Sequence, residues 1–302
     1  MLELENISKT FAADLFAKKM TALKSITLAV NRGEVYAFIG PNGAGKTTTI
    51  KLILGLIFPD SGRIFVNGID YRNKLLRRQV GYLPDQPYFY DDLTAIEYLK
   101  FSGKLFFLSN GEIDKKIKSL IPQVGLSGKE NVRLRHFSRG MLQRLGMAQA
   151  LIHDPNLLIL DEPMTGLDPL GRKEFRDFIL QLRQQGKTIF FSSHILADAE
   201  MIGDRVGILN HGCLIKEMQL NELLSTESQG VEIIFRKPET AALADNFPWK
   251  VEMVNHNGII SLEDENAVFQ AVEWVQHAGG QIVSISPKRK TLEDIFIQEV
   301  KQ

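Results

Sequence analysis

An unbroken apolar run, Val35–Ile39, leads directly into Gly40, Pro41, Asn42, Gly43, Ala44, Gly45, Lys46 and Thr47, and no other stretch limits the fold so strongly. The run has the pattern of a strand buried on both faces. The loop fits G-x-x-x-x-G-K-[ST], and helix-forming residues follow over 47–56, the setting in which that pattern carries a mechanism. Glycines let the backbone wrap closely, so that successive N–H groups point inward at an anion. The following helix adds its positive N-terminal end. These residues predict a strand–loop–helix unit that holds the phosphates of a nucleotide, with Thr48 completing the set. Lys46 is placed to meet the β- and γ-phosphates, and Thr47 to offer its hydroxyl to Mg²⁺.

A second apolar run, Leu157–Leu160, ends in Asp161, Glu162 and Pro163. A buried strand that delivers two carboxylates at its C-terminal edge puts them where ligands sit in open α/β sheets. Asp161 is the natural partner of the metal ion. Glu162 is placed to orient or deprotonate the attacking water that phosphoryl transfer requires. Alone, these residues also read as a solvated acidic turn; the phosphate loop upstream favours the catalytic reading.

The remaining pattern is mixed. Leu2, Leu4 and Ile26, Leu28, Val30 alternate with polar residues, as half-buried strands do, and residues 63–66 and 188–191 read as further strands. Residues 93–152 read mostly as helices with Thr94 as a cap, and residues 171–185 as another helix. Strands alternating with helices predict an α/β fold with a parallel sheet. Residues 206–215 read as a hairpin around Asn210, His211 and Gly212.

A length of 302 residues suggests about two domains. The pattern changes after residue 220: strands over 231–235, 250–254, 259–262 and 281–285, a hairpin signal at 255–258, a helix over 267–278 and a helix start at Thr291. Residues 1–220 are therefore expected to form the ATP-binding domain and 221–302 a small α+β accessory domain. The latter carries no evident chemistry, and His256 and His277 read as isolated surface residues.

Composition narrows the function. Lys+Arg and Asp+Glu both number 36, which argues against a partner held by bulk charge, nucleic acid above all. Cys213 is the single cysteine, so no internal disulfide is expected, and it reads as a small hydrophobe near a turn. The opening residues lack a positive segment followed by an apolar one, so no signal peptide is expected. No apolar run approaches the roughly 18 residues of a membrane span. Any membrane work must go through another chain.

Phe137, Ser138, Arg139, Gly140 and Met141, followed by Leu142, Gln143 and Arg144, precede the acidic strand. By themselves they read as a core helix capped by Ser138, with Leu142, Leu145, Ala148 and Leu151 on one face. A helix N-terminus opened by Ser and Gly is also an anion site. With the two motifs above, the segment resembles the LSGGQ signature of the ATP-binding subunits of ABC transporters. The resemblance covers residues 1–220. It implies a P-loop NTPase of ABC type, with a mixed sheet, an antiparallel β subdomain and a helical subdomain. It also implies a head-to-tail, two-fold dimer, in which residues 138–141 of one subunit bind the γ-phosphate held by the other. Arg139 and Met141 depart from the family pattern; Ser138 and Gly140 keep it.

Further positions follow from the resemblance. Thr165, Gly166, Leu167, Asp168 and Pro169 resemble the D-loop, with Asp168 touching the partner subunit. His194, after Ser192 and Ser193, resembles the switch histidine, so that Lys46, Glu162 and His194 form the catalytic set. The family stacks adenine on an aromatic residue, for which Phe11 is the first choice and Phe16 the alternative. The family's Q-loop glutamine follows a proline, but here Pro84 precedes Asp85 and then Gln86. Gln86 is taken as the third metal-site residue beside Thr47 and Asp161, with Asp85 as the alternative. Pro87, Tyr88, Phe89, Tyr90 and Leu93 read as exposed aromatic and apolar residues in the groove that grips the membrane subunit.

The Ser-Arg-Gly-Met form resembles exporter subunits. Residues 291–296, Thr-Leu-Glu-Asp-Ile-Phe, resemble the tail of antibiotic and multidrug exporter subunits whose membrane subunit is a separate chain. The implied function is an ATP-hydrolysing subunit that powers a membrane exporter through ATP-driven dimerisation. Its partners would be a permease chain and a second copy or a paralogous ATPase. It would lie in the cytoplasm, peripheral on the inner face of the membrane. The alternative, a soluble ABC-type ATPase acting on nucleic acid or ribosomes, would carry two cassettes or long coiled-coil insertions. This chain has one P-loop and no heptad run. A GTPase is disfavoured because Asn73, Lys74, Leu75 and Leu76 lack the Asp of the guanine motif.

Overall fold

The computed structural model describes residues 1–11, 19–73, 76, 78–225, 230–236, 248–254, 257–287 and 291–300. Phe16, Lys74, Leu75, Asn255 and His256 lie outside the described residues. The chain forms two compact units, Met1–Leu220 joined by the chain end from Glu299, and Asn221–Gln298.

The first unit opens with β1 (Leu2–Phe11), β2 (Met20–Val30), β3 (Val35–Ile39), α1 (Lys46–Ile53), β4 (Ser61–Val66), β5 (Ile69–Asp70) and β6 (Val80–Leu83). The helices α2 (Ala95–Leu105), α3 (Asn110–Gln123) and α4 (Arg139–Leu151) follow. It continues with β7 (Leu157–Leu160), α5 (Pro169–Gln184), β8 (Thr188–Ser193), α6 (Leu196–Ile202), β9 (Arg205–Asn210) and β10 (Cys213–Gln219).

Two sheets result. β2-β1-β4-β5 is antiparallel, and β10-β9-β3-β8-β7-β6 is parallel except for β10 against β9. Every residue of β3, β7 and β8 is buried, which is why these runs are apolar without alternation. The antiparallel strands do alternate. Leu2, Leu4, Ile26, Leu28, Ile64 and Val66 join Ile50 and Leu52 of α1 and Tyr36, Phe38 and Phe190 of the central sheet in one core. The rings of Tyr36 and Phe190 stack at 5.7 Å.

Helix boundaries follow their caps. α2 starts with a capping box between Thr94 and Glu97, and α3 with one between Ser109 and Glu112. α1 stops at Ile53 rather than Leu56, because the chain passes through Gly55 at φ +65°. α4 departs from the one-faced pattern: Gln143, Leu145, Gly146, Met147, Ala148, Ala150 and Leu151 are buried, while Leu142 is only half-buried. The helix lies against β6, α2 and α3, so most of its circumference meets protein.

After α7 (Leu220–Ser225), the second unit holds β11 (Val231–Arg236), β12 (Val251–Val254), β13 (Asn257–Leu262), α8 (Val268–His277), β14 (Gln281–Pro287) and α9 (Leu292–Val300) up to Gln298. Its antiparallel sheet has the order β12-β13-β11-β14. Ile233, Phe235, Ile260 and Leu262 pack on Ala271 and Val275 of α8 as a small core. His277 is exposed at the end of α8. Among the described residues no helix is long and apolar enough to cross a membrane.

Candidate active site

The strand order puts β3, β8 and β7 side by side and parallel. Ile39 pairs with Ser193, and Leu160 with Phe191. The C-terminal ends therefore lie within two residues of one another in register, and the residues that leave them (Gly40, His194 and Asp161) meet on one rim of the sheet.

The loop after β3 needs its glycines. A Cβ on Gly40 would lie 2.3 Å from the Leu209 carbonyl oxygen. Gly45, at φ +115°, caps α1, and a Cβ there would lie 2.8 Å from the Ala22 carbonyl oxygen. Around this loop is a cavity of about 300 Å³. Its wall includes Pro41, Asn42, Gly43, Gly45, Lys46, Thr47, Thr48 and Glu162, together with Phe11, Met20, Ala22 and Asp85. Ala44 is buried in the core behind the loop. The Phe11 ring is partly exposed, with the Lys9 ammonium 5.6 Å from its centroid.

Glu162 is the hub. Its Oε1 lies 3.3 Å from Lys46 Nζ, and its Oε2 lies 2.7 Å from His194 Nδ1. Lys46 Nζ also donates to the Gly40 carbonyl at 2.7 Å. Glu162 sits at φ +48°, a left-handed conformation that non-glycine residues rarely adopt and that clusters at functional sites. Its N–H donates to Ser192 Oγ at 2.9 Å, and Ser192 Oγ in turn donates to Asp161 Oδ1 at 2.6 Å. One hydroxyl thus fixes both acidic residues. The Asp161 carboxyl is pushed above its ordinary range, first by burial and further by the charges of Glu162 and Asp85, against hydrogen bonds from Ser192 and Thr47. The Tyr82 hydroxyl is pushed up to about 12, chiefly by burial and then by Asp161 and Asp85.

Several expectations change. The chain bends after β6 so that Asp85 faces the cavity, while Gln86 is exposed and absent from the cavity wall. Asp85 Oδ1 is buried with no hydrogen-bond partner among the described residues. Phe89 is not exposed with its neighbours but packs edge-on against Tyr98 at 4.8 Å. Tyr88 and Tyr90 are exposed, and Tyr90 meets Phe101 edge-on. Asp168 is more than a turn residue: its Oδ1 accepts from the Gly171 N–H at 2.8 Å and caps α5, with Pro169 in the first turn. Ser138 does cap α4, accepting from the Met141 N–H at 3.3 Å. Ser138 and Arg139 are exposed, Gly140 and Met141 half-buried, and none of the four is on the cavity wall. Sequence reasoning missed Ser192, Met20 and Ala22; the only signal for Ser192 was a hydroxyl directly after the apolar run of Ile189, Phe190 and Phe191. Cys213 is half-buried just after the Gly212 turn.

Chemically, the cavity offers backbone amides and a buried ammonium to phosphates. The oxygens of Thr47, Asp161 and Asp85 are hard donors of the kind Mg²⁺ takes. A parallel sheet that delivers a phosphate loop, an acidic edge and a histidine to one rim has the working parts of a P-loop ATPase.

Comparison with known proteins agrees. Residues 23–165 match the ABC transporter family. An uncharacterised ABC transporter ATP-binding protein of Synechocystis is 40% identical, over 100% of this chain and 85% of the relative. A bacitracin transport ATP-binding protein of Enterococcus faecalis is 33% identical, over 98% of this chain and 95% of the relative. A dimeric ATP-binding cassette solved in a post-hydrolysis state with ADP and phosphate superposes with a TM-score of 0.67, at 26% identity over 73% of this chain and 99% of that one. The chain belongs to the ATP-binding proteins of ABC transporters, and it is an ATP-binding ATPase.

Proposed function

We propose that this chain is the motor subunit of an ABC exporter whose membrane-spanning permease is a separate chain, and that it works at the cytoplasmic face of the membrane. The observation that carries the reading is the position of Glu162, at the cavity wall between Lys46 and His194. The similarity to a bacitracin transport protein supports export.

In this reading residues 40–48 hold the phosphates of ATP and Phe11 stacks on adenine. Lys46 exchanges Glu162 for the β- and γ-phosphate oxygens. Thr47 and Asp161 hold Mg²⁺, with Asp85 in the place expected for Gln86. The bound metal supplies charge neutralisation at the phosphates. Glu162, freed from Lys46, orients the attacking water and accepts its proton, while His194 steadies Glu162 and meets the γ-phosphate. Residues 138–141 lie off the cavity wall, so their anion site is available to the nucleotide of a second copy or a paralogue. Asp168 touches that partner. The exposed Tyr88 and Tyr90 offer anchors for the permease. Residues 221–302 form an accessory domain.

The test is the mass of the Glu162→Gln chain by light scattering, with and without Mg-ATP. Removing the base should trap an ATP-bound dimer. A chain that binds ATP tightly yet stays monomeric at high concentration removes self-driven closure from the proposal.

A further inference from the structure

Gln143 is buried one turn into α4, and its Nε2 donates to the carbonyl of Pro163 at 3.0 Å. Pro163 is the residue directly after Glu162. Two neighbouring contacts join the same pieces. The Arg139 side chain lies against Gly166, where a Cβ would come within 2.6 Å of its Nε. Gly140 faces Leu167, whose Cδ2 would be 3.3 Å from an added Cβ. Residues 139, 140 and 143 share one side of the helix, at the spacing of neighbours on a helical surface. The N-terminus of α4 and the segment 163–167 therefore form one packed block, and Gln143 provides its buried polar bond.

We infer that Gln143 is a positioning residue that ties the anion site at the start of α4 to the backbone carrying Glu162 in the same chain. The inference rests on the dimer reading above. In a head-to-tail dimer the α4 N-terminus of one subunit meets the partner's nucleotide, while Glu162 serves the subunit's own. Engagement of one site then sets the carboxylate geometry of the other through a rigid link of one side chain. A buried amide leaves little slack, because an unpaired donor or acceptor there carries its full desolvation cost.

The experiment uses the full chain with Gln143→Met, which keeps length and removes the donor, and Gln143→Asn, which withdraws the donor by one methylene. Three quantities are read: the Kd for ATP by titration, kcat, and the Hill coefficient of hydrolysis against ATP concentration. The expected result is an unchanged Kd, since the cavity is untouched, a kcat lowered about fivefold or more, and a Hill coefficient falling towards one. Should Gln143→Met fail to fold by circular dichroism, Gln143→Asn carries the same expectations. Wild-type kcat and Hill coefficient in a folded variant overturn the inference. A rise in Kd with unchanged kcat also overturns it, because it marks a general structural role. If the wild-type chain itself shows no cooperativity and Glu162→Gln stays monomeric, the dimer reading fails first and the cross-site role of Gln143 falls with it.

Discussion

At the scale of residues, the site is a competition for Lys46. Its ammonium is buried and shared between the Gly40 carbonyl and Glu162, so in the proposed reading a nucleotide phosphate must displace both. Replacing Lys46 with Ala removes the only cation on the cavity wall among the described residues. Hydrolysis by Lys46→Ala is expected to fall by roughly a hundredfold or more, the scale of losing one preorganised electrostatic group. Phosphate release measured at saturating ATP checks this. His153 makes a separate prediction about stability. Its ring stacks on Phe106 at 3.7 Å, and burial pulls its pKa from 6.5 down to about 4, against a hydrogen bond to the Val80 carbonyl. The folded state holds the neutral ring, while the unfolded chain takes up a proton below about 6.5. Stability from this residue is full above pH 6.5 and is lost as pH falls towards 4. Urea midpoints at pH 7 and pH 5 should therefore drop more for the natural chain than for His153→Phe.

At the scale of elements, α4 shows how one helix serves two purposes. Ser138 caps it at an exposed end, while one turn later Gln143 is locked into the interior. Substituting the cap with a long cation fills the space an anion would take. Ser138→Arg is expected to bind ATP as a monomer with unchanged affinity but to fail to dimerise in the Glu162→Gln background. Dimer formation by that double variant would show that the α4 N-terminus is not the trans anion site. The strands show the opposite economy. β3, β7 and β8 are short and wholly buried, so their ends hold the residues that follow them rigidly at one rim.

At the scale of the whole molecule, the chain divides into two units with separate cores. The core of the second is small, and Phe235 is its largest fully buried side chain. Phe235→Ala should cost that unit about 3–5 kcal/mol. A unit of this size has little stability to spare, so it is expected to melt early. ATP binding by the first unit should persist. A calorimetric scan with two separated transitions and a retained ATP titration fits this; loss of ATP binding would mean the units fold as one.

Much of the site could be read from the residue order alone. Gly40 to Thr47 announce themselves because only glycines tolerate the φ angles and close backbone approaches of a phosphate loop. The runs 35–39, 157–160 and 188–191 announce buried parallel strands because a strand covered on both faces has no polar side to alternate. Thr94 and Ser138 were legible as caps because helix starts leave amides that nearby hydroxyls satisfy. The tertiary structure alone decided which of Asp85 and Gln86 turns inward, that Phe89 is buried between exposed tyrosines, and that Ser192 and Gln143 hold the acidic segment. Each of these depends on what packs against a side chain from far along the sequence. β3 lies beside β8, about 150 residues away, and no local pattern encodes that neighbour.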